Sequence, residues 1–192
     1  MSTKRIGFFG GTFDPPHIGH LILAGEATFK FNLQRLLWVL TPDPPHKQEN
    51  PITPLEHRLQ MLQSMINKNP VFEISHLEID RPGPHYTVDT VNLLKEQEPD
   101  AEIILLIGGD SLADLPTWRF APELITAVSK IGVMRRPNRQ IDLDFLESQL
   151  PGVSPKIQFI DALLQPVSSS ELRRRIKAGE MARYYLQSEV FD

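Results

Sequence analysis

The feature that most constrains the fold of this chain is the apolar stretch EIILLIG at residues 102–108, in which apolar and polar side chains do not alternate. A strand with one solvated face alternates, whereas a strand that is buried on both faces does not. Continuous apolar strands are typical of a parallel sheet with helices on each side. The sequence therefore predicts an α/β fold built on a buried parallel sheet.

Other apolar runs rich in β-branched and aromatic residues also have the length of strands, and helical patterns lie between them. The predicted strands are residues 5–10, 36–41, 71–74, 102–108, 130–134 and 156–160, and the predicted helices are residues 18–29, 88–97, 122–128 and 169–178, with one more that begins near residue 53. This alternation favours a doubly wound, mainly parallel sheet flanked by helices, of the Rossmann-like type.

The helix near residue 53 has the clearest start signal. Thr53 and Glu56 have the spacing of a capping box, and Pro54 would occupy the first helical position. The preceding stretch TPDPPHKQENPITP, residues 41–54, carries five prolines and is typical of a stiff surface loop after a strand.

Length and composition bound the class of protein. A chain of 192 residues predicts a single domain, 1–192, whose residues from about 166 to 192 form a small C-terminal helical portion. The absence of cysteine excludes disulfides and cysteine metal sites. A net charge of -4 provides no field that would attract nucleic acid or an anionic membrane. We therefore expect a cytoplasmic protein with no nucleic-acid or membrane partner, and the sequence allows a homo-oligomer.

Paired glycines end two of the most apolar strands. Gly10 and Gly11 end the first strand, and Gly108 and Gly109 end the apolar run that begins at residue 102. Glycine lets backbone N–H groups approach a phosphate without a Cβ in the way. Ligands of open parallel sheets bind beyond the carboxyl ends of the strands. Two glycine pairs at that edge predict a nucleotide crevice.

Two histidines follow the first glycine pair. His17 and His20 are three residues apart, so they share one face at the start of a helix, and Gly19 lies between them. Half of a zinc site is one interpretation, although the pattern supplies no third or fourth ligand nearby, and a structural role is another. We favour a third interpretation, in which both rings donate N–H groups to a phosphate chain at the helix N-terminus.

A second cluster lies near the other end, in PVSSSELRRRI at residues 166–176. Ser168 and Glu171 form a capping box, which places Ser169 in the first helical turn with free N–H groups nearby. Arg173 is four residues after Ser169 and therefore shares its helix face. This arrangement predicts a second anion site. The alternative is a capped surface helix whose arginine run is solvated.

The blocks GGTFDPPHIGH and SSSELR together resemble the paired signature of the nucleotidyltransferase superfamily with an HxGH motif, which shares its fold with class I aminoacyl-tRNA synthetases. The blocks TPDPPHK, HRLQML, PHYTVDT, LIGGDSL, LPTW and RRP resemble, in order and spacing, the nicotinate mononucleotide adenylyltransferase family. The resemblance spans nearly the whole chain.

The resemblance implies an enzyme of NAD biosynthesis that transfers the adenylyl group of ATP to nicotinate mononucleotide and forms deamido-NAD and pyrophosphate. It implies Mg²⁺ bound through the ATP phosphates, with no metal site of the protein itself. It assigns catalysis to His17, His20, Lys47 and Arg173, ATP binding to Gly10, Gly11, Thr12, Phe13, Gly108, Asp110, Ser168 and Ser169, and mononucleotide binding to His46, Tyr86, Thr87 and Trp118.

Two other functions stay open on the sequence. A sister nucleotidyltransferase would use nicotinamide mononucleotide or phosphopantetheine, although LPTW and YTVDT have no evident use for a pantetheine arm. A non-catalytic nucleotide-binding or RNA-binding module could keep the same fold. Such a module would be expected to lack His20 or Arg173, and the chain has both.

Overall fold

The computed structural model describes residues 3–44, 52–135, 141–163 and 167–191. Its strands are β1 (Arg5–Gly11), β2 (Arg35–Leu40), β3 (Phe72–Ser75), β4 (Glu102–Gly108), β5 (Lys130–Met134) and β6 (Ile157–Ile160). They form one sheet in the order β3-β2-β1-β4-β5-β6, in which every neighbouring pair is parallel. The predicted parallel α/β fold and all six predicted strands are confirmed, with ends that differ by one residue at most.

The helices are α1 (Ile18–Phe31), α2 (Leu55–Ile66), α3 (Thr87–Gln97), α4 (Gly109–Asp114), α5 (Ala121–Ala127), α6 (Leu143–Gln149), α7 (Ser169–Lys177) and α8 (Ser188–Phe191). The sequence predicted five of them and missed α4, α6 and α8, which are short. Within the described ranges, no helix is both long enough and apolar enough to cross a membrane.

The strands are apolar throughout because both faces of the sheet are covered. In β4, Ile103, Leu105 and Ile107 pack into one core cluster, whereas Ile104 and Leu106 pack into the other. Successive side chains of a strand point to opposite faces, so a strand with two buried faces needs apolar residues at every position. The buried residues of α3, α4, α5 and α6 cover the first face, and those of α1, α2, α7 and α8 cover the second.

The two central strands send the chain to opposite faces of the sheet. The helix after β1 is α1, on the second face, and the helices after β4 are α4 and α5, on the first. This divergence opens a crevice between the carboxyl ends of β1 and β4. The glycine pairs of the sequence lie at that crevice, as predicted.

The start of α2 corrects the sequence prediction. Pro54 is the N-cap and Leu55 the first helical residue, and no side chain caps the helix. Thr53 instead uses its backbone: its N–H donates to Asp14 Oδ2 (3.3 Å) and its carbonyl accepts from Arg58 Nε (2.8 Å). These tertiary contacts hold Thr53 outside the helix and replace the predicted capping box.

Candidate active site

An open cleft of about 940 Å³ lies at the carboxyl ends of β1 and β4. This volume is at the upper end of the range for small-ligand sites. Its walls come from the β1–α1 loop, the ends of β4 and β5, the segment around the start of α3, the turn after α4 and the start of α7. The cleft therefore gathers the carboxyl ends of the central strands and the N-terminal ends of two helices.

The two histidines of the HIGH segment form a stacked pair in the cleft wall. Their ring centroids are 3.7 Å apart with 24° between the ring planes. His17 is the N-cap of α1, and its backbone N–H donates to His20 Nδ1 at 3.1 Å. Because Nδ1 accepts, the proton of the neutral His20 ring lies on Nε2. The pairing predicted from the three-residue spacing is confirmed.

Gly19 leaves room for the stacked rings. A Cβ at position 19 would lie 3.1 Å from both Cε1 and Nδ1 of the His17 ring. Gly108, across the crevice at the end of β4, has no atom within 4 Å of the position where its Cβ would be, so the cleft is open beside it. Glycine therefore serves ring packing at the first position and leaves space for a ligand at the second.

The start of α7 forms a second wall. Ser168 is the N-cap, and its Oγ accepts from the backbone N–H of Glu171 at 3.3 Å. Ser169 Oγ donates to the carbonyl of Pro15 (2.9 Å), and Arg173 Nη1 donates to the carbonyl of Asp14 (2.5 Å). The predicted common face of Ser169 and Arg173 is thus confirmed. Both residues dock α7 onto the β1–α1 loop.

Aromatic rings line the opposite end of the cleft. Trp118 is partly buried there, and Tyr86 meets Phe120 edge to face with ring centroids 5.9 Å apart. The guanidinium of Arg119 lies 4.6 Å from the centroid of the Phe120 ring. Thr87 is the first residue of α3, whose N-terminal N–H groups favour a negative charge. This end suits a flat ring with an anionic substituent.

Most predicted site residues lie together in the cleft wall. They are Gly10, Gly11, Thr12, His17, His20, Tyr86, Thr87, Gly108, Asp110, Trp118, Ser168 and Ser169. Phe13 and Arg173 do not line the cleft: Phe13 packs edge to face against His20 (5.1 Å), and Arg173 contacts Asp14 behind the β1–α1 loop. His46 and Lys47 lie outside the described residues.

Asp14 and Arg58, which were not among the predicted site residues, are both almost completely buried, at 5% and 2% exposure. A signal for Arg58 was available. It lies on the same face of α2 as Leu55 and Leu62, and an arginine on the buried face of an amphipathic helix is rare without partners. Glu78, Arg119 and Arg135 also line the cleft and were not predicted.

The described part of the chain contains no group of three or more His, Asp or Glu side chains that could hold a metal ion. The zinc interpretation of the histidine pair therefore finds no additional ligands there. The cleft instead offers backbone N–H groups, hydroxyls and imidazoles, which are hydrogen-bond donors suited to an anion.

Comparison with known proteins places the chain among nucleotidyltransferases. Residues 8–175 match the family model described as cytidylyltransferase-like. A protein of Thermomicrobium roseum named as a probable nicotinate-nucleotide adenylyltransferase is 43% identical over 94% of this chain and 84% of its own length. The nicotinate-nucleotide adenylyltransferase of Bacillus subtilis is 36% identical over 97% of this chain and 93% of its own length.

Solved structures share the fold at low sequence identity. The Plasmodium falciparum nicotinic acid mononucleotide adenylyltransferase complexed with NaAD superimposes with a TM-score of 0.81 at 19% identity, covering 98% of this chain and 93% of that one. The same enzyme complexed with APC gives a TM-score of 0.79. The family-model match and the identity to relatives along nearly the whole chain lead to one conclusion: the protein belongs to the cytidylyltransferase-like family and, within it, to the nicotinate-nucleotide adenylyltransferases.

Proposed function

We propose that this protein transfers the adenylyl group of ATP to the 5′-phosphate of nicotinate mononucleotide and releases deamido-NAD and pyrophosphate. The proposal rests on the residues that line one cleft. The stacked His17–His20 pair and the start of α7 line the same cavity as Tyr86 and Trp118. Hydrogen-bond donors that can bind phosphate and aromatic rings that can bind a base line the same cleft. This combination suits two nucleotides that meet through their phosphates. The named relatives act on the same class of substrate.

The reaction needs positioning more than acid–base chemistry. A phosphate monoester has a second pKa near 6 and is largely dianionic at neutral pH, so it attacks without a general base. An oxygen of the mononucleotide phosphate forms a bond to the α-phosphorus of ATP, the bond from that phosphorus to the bridging oxygen breaks, and pyrophosphate leaves. Holding the two phosphates in line and stabilising the developing charge supply the catalysis.

Each wall of the cleft has a part in this chemistry. His20 donates from Nε2 to the α-phosphate, and His17 donates beside it. The N–H groups and hydroxyls at Ser168 and Ser169 bind the β- and γ-phosphates. Gly108 and Asp110 border the ATP ribose and adenine. We also keep the sequence-based roles of Lys47 and Arg173 in catalysis and of His46 in mononucleotide binding as proposals.

The acceptor lies at the aromatic end. Trp118 stacks on the pyridine ring, and the start of α3 at Tyr86 and Thr87 receives the ring carboxylate through backbone N–H groups. The partial positive charge at a helix N-terminus favours a carboxylate over an uncharged amide. This geometry supports the acid as the preferred substrate.

Magnesium enters this proposal as part of the ATP complex. The described cleft wall has two carboxylates, Glu78 and Asp110, among many N–H and O–H groups that can bind phosphate oxygens, and we assign the cation to phosphate and water. When bound, Mg²⁺ neutralises phosphate charge and eases the departure of pyrophosphate. We propose no residue of this chain as a ligand of Mg²⁺.

Two labelled forms of ATP test the reaction. ATP labelled at the α-phosphate should pass its label to a dinucleotide that also contains the nicotinate ring, whereas label at the γ-phosphate should leave with pyrophosphate. Chromatographic separation of the products measures both. A γ-label on the mononucleotide would mean phosphoryl transfer instead, and no incorporation from either form would exclude the enzyme activity.

A further inference from the structure

Arg58 is a buried cation that lies outside the cleft wall. Its guanidinium donates four hydrogen bonds, and all four acceptors are backbone carbonyls. Nε donates to Thr53 (2.8 Å), Nη1 to Thr12 (3.0 Å) and Thr41 (2.9 Å), and Nη2 to Pro42 (2.8 Å). One side chain of α2 therefore joins three segments that are distant in the sequence.

These carbonyls belong to the segments that build the phosphate side of the cleft. Thr12 follows β1 and Thr41 follows β2, and both line the cleft. The backbone N–H of Thr41 also donates to the carbonyl of Gly11 at 3.0 Å, next to the carbonyl that Arg58 holds. Arg58 thus fixes the spacing of two neighbouring strand ends from behind the cleft.

Asp14 extends this set of contacts to α7. Its carboxylate accepts from the backbone N–H of Thr53 at 3.3 Å, beside the Arg58 contact. Its carbonyl accepts from Arg173 Nη1 at 2.5 Å, and its Oδ2 lies 3.9 Å from the same nitrogen. Ser169 Oγ holds the next residue, Pro15. A path of hydrogen bonds therefore runs from Arg58 through Thr53 and Asp14 to the start of α7.

A cation at this position is costly to bury. Burial lowers the pKa of the Arg58 guanidinium, and the charges of Asp14 and Asp43 only partly oppose that effect. An apolar side chain of similar volume would leave these buried carbonyls without a donor, so its cost in stability has to be separated from its effect on the cleft. What an apolar side chain cannot do is hold four carbonyls in a fixed planar geometry, which is the property of the guanidinium fork.

We propose that Arg58 is a positioning residue for nucleotidyl transfer, which, with Asp14, sets the spacing between the β1–α1 loop, the end of β2 and the start of α7 that the ATP phosphates require. This inference rests on the proposed function. It also makes a claim about ATP binding that can be measured without the acceptor. Removal of the fork should impair phosphate binding and turnover more than the accompanying loss of stability explains.

The test compares Arg58→Met and Arg58→Lys with Leu62→Ala. Leu62 is fully buried one turn further along α2 and does not line the cleft, so its truncation destabilises the same helix while the Arg58 guanidinium keeps its carbonyl acceptors. All measurements are made well below each thermal midpoint. Binding of Mg-ATP is measured by calorimetry, and KM for ATP and kcat are measured by pyrophosphate release.

We expect Arg58→Met to weaken Mg-ATP binding at least tenfold and to lower kcat, Arg58→Lys to recover part of both losses, and Leu62→Ala to keep both within about twofold of the wild type. Equal losses in Arg58→Met and Leu62→Ala, or a folded Arg58→Met with normal ATP binding, would overturn the proposal. If Arg58→Met does not fold, Arg58→Lys is judged by the same criteria. An inactive wild type that still binds Mg-ATP would reject the proposed function alone, and calorimetry would still decide the role of Arg58.

Discussion

The His20 ring is held in place before any substrate arrives. Its Nδ1 accepts from the His17 backbone, and its faces and edges contact the rings of His17, Phe13 and Phe9 at centroid distances of 3.7, 5.1 and 5.9 Å. A donor that needs no reorganisation during the reaction stabilises developing charge most effectively. The position of His20 in the cleft wall makes it the best candidate for that donor.

His20→Ala should lower kcat by roughly 10² to 10³, the usual effect of removing one preorganised donor to a developing charge. The fold should persist, because the side chain lies in the cleft wall. Turnover and the thermal midpoint measure the two effects separately. His57→Ala, at an exposed position of α2, is the matched control and should behave like the wild type. Nearly normal turnover in His20→Ala would remove the proposed role.

Neighbouring arginines of α7 have different surroundings. Arg173 contacts Asp14 behind the β1–α1 loop, whereas Arg174 is exposed and pairs with Glu171 and Glu180 at 2.8 and 2.7 Å. Arg173→Ala should raise the KM for ATP and lower kcat, and Arg174→Ala should change both by less than about twofold, since exposed ion pairs contribute little. Steady-state kinetics with varied ATP measures this. Equal losses would indicate a diffuse basic surface instead.

Substitutions at two positions of the acceptor site should distinguish ring stacking from recognition of the ring substituent. Trp118→Ala should raise the KM of nicotinate and nicotinamide mononucleotides by similar factors, because stacking does not distinguish an acid from an amide. Tyr86→Ala, which removes the edge contact with Phe120 beside the start of α3, should change the ratio of the two. The specificity constants for both mononucleotides measure the effect. A changed ratio in Trp118→Ala with an unchanged ratio in Tyr86→Ala would contradict these assignments.

Residues of the site differ in how far the sequence could reveal them. The histidine pair was predictable, because its geometry follows from a three-residue spacing on one helix. The burial of Arg58 was indicated by its place on the apolar face of α2, but its acceptors Thr12 and Thr41 were not predictable, because they precede it by 46 and 17 residues and come together only in the folded sheet. Contacts through backbone carbonyls also carry no side-chain signature.

At the level of the elements, strands were easier to predict than helices. A strand with two buried faces is apolar at each position, so its ends are marked by the first polar residues. The missed helices α4, α6 and α8 have seven residues or fewer, so a 3.6-residue period has at most two turns in which to appear. The predicted start of α2 was wrong by one position. The backbone N–H and carbonyl of Thr53 are hydrogen-bonded to Asp14 and Arg58, and no capping box forms.

An ionic cluster ties the amino ends of the strands together, at the edge opposite the cleft. Glu98 accepts from Lys4 Nζ (2.8 Å) and from Arg35 Nη1 (2.5 Å), and Arg35 also pairs with Glu73 (2.7 Å). The hydrogen bond from Lys4, together with the charges of Lys4 and Arg35, lowers the pKa of Glu98 below its ordinary value. Because the pKa is lowered on folding, the carboxylate stabilises the fold above its unfolded pKa and loses this effect as the pH falls through the folded pKa.

Glu98→Gln should therefore reduce the free energy of unfolding by about 1 kcal/mol at pH 7. The difference from the wild type should shrink as the pH falls below about 4.3, where the unfolded carboxyl is protonated. Urea unfolding at several pH values measures it. Glu96→Gln, at an exposed position in the last turn of α3, is the control and should show little change. A difference that stays constant down to the lowest pH would mean that charge is not responsible.

The topology of the whole molecule explains why one cleft serves two substrates. The strand order places β1 and β4 side by side, and the chain leaves them toward opposite faces, so both glycine-ended strands open into one crevice. The N-terminal ends of α3 and α7 face this crevice from two directions. Both helix ends favour anions, and both face the same cavity. They therefore suit a reaction between a nucleoside triphosphate and a nucleotide whose ring carries a carboxylate.

The most direct test of adenylyl transfer to nicotinate mononucleotide is the rate of pyrophosphate release from ATP with each candidate acceptor. The acceptors are nicotinate mononucleotide, nicotinamide mononucleotide and phosphopantetheine. A site that receives a carboxylate through N–H donors leaves a donor facing the NH₂ group of the amide, and an unpaired buried group costs about 1 to 3 kcal/mol. We expect kcat/KM for the acid to exceed that for the amide by at least about tenfold, with no release with phosphopantetheine. No release with nicotinate mononucleotide, or a higher kcat/KM with either of the other acceptors, would contradict the proposed function.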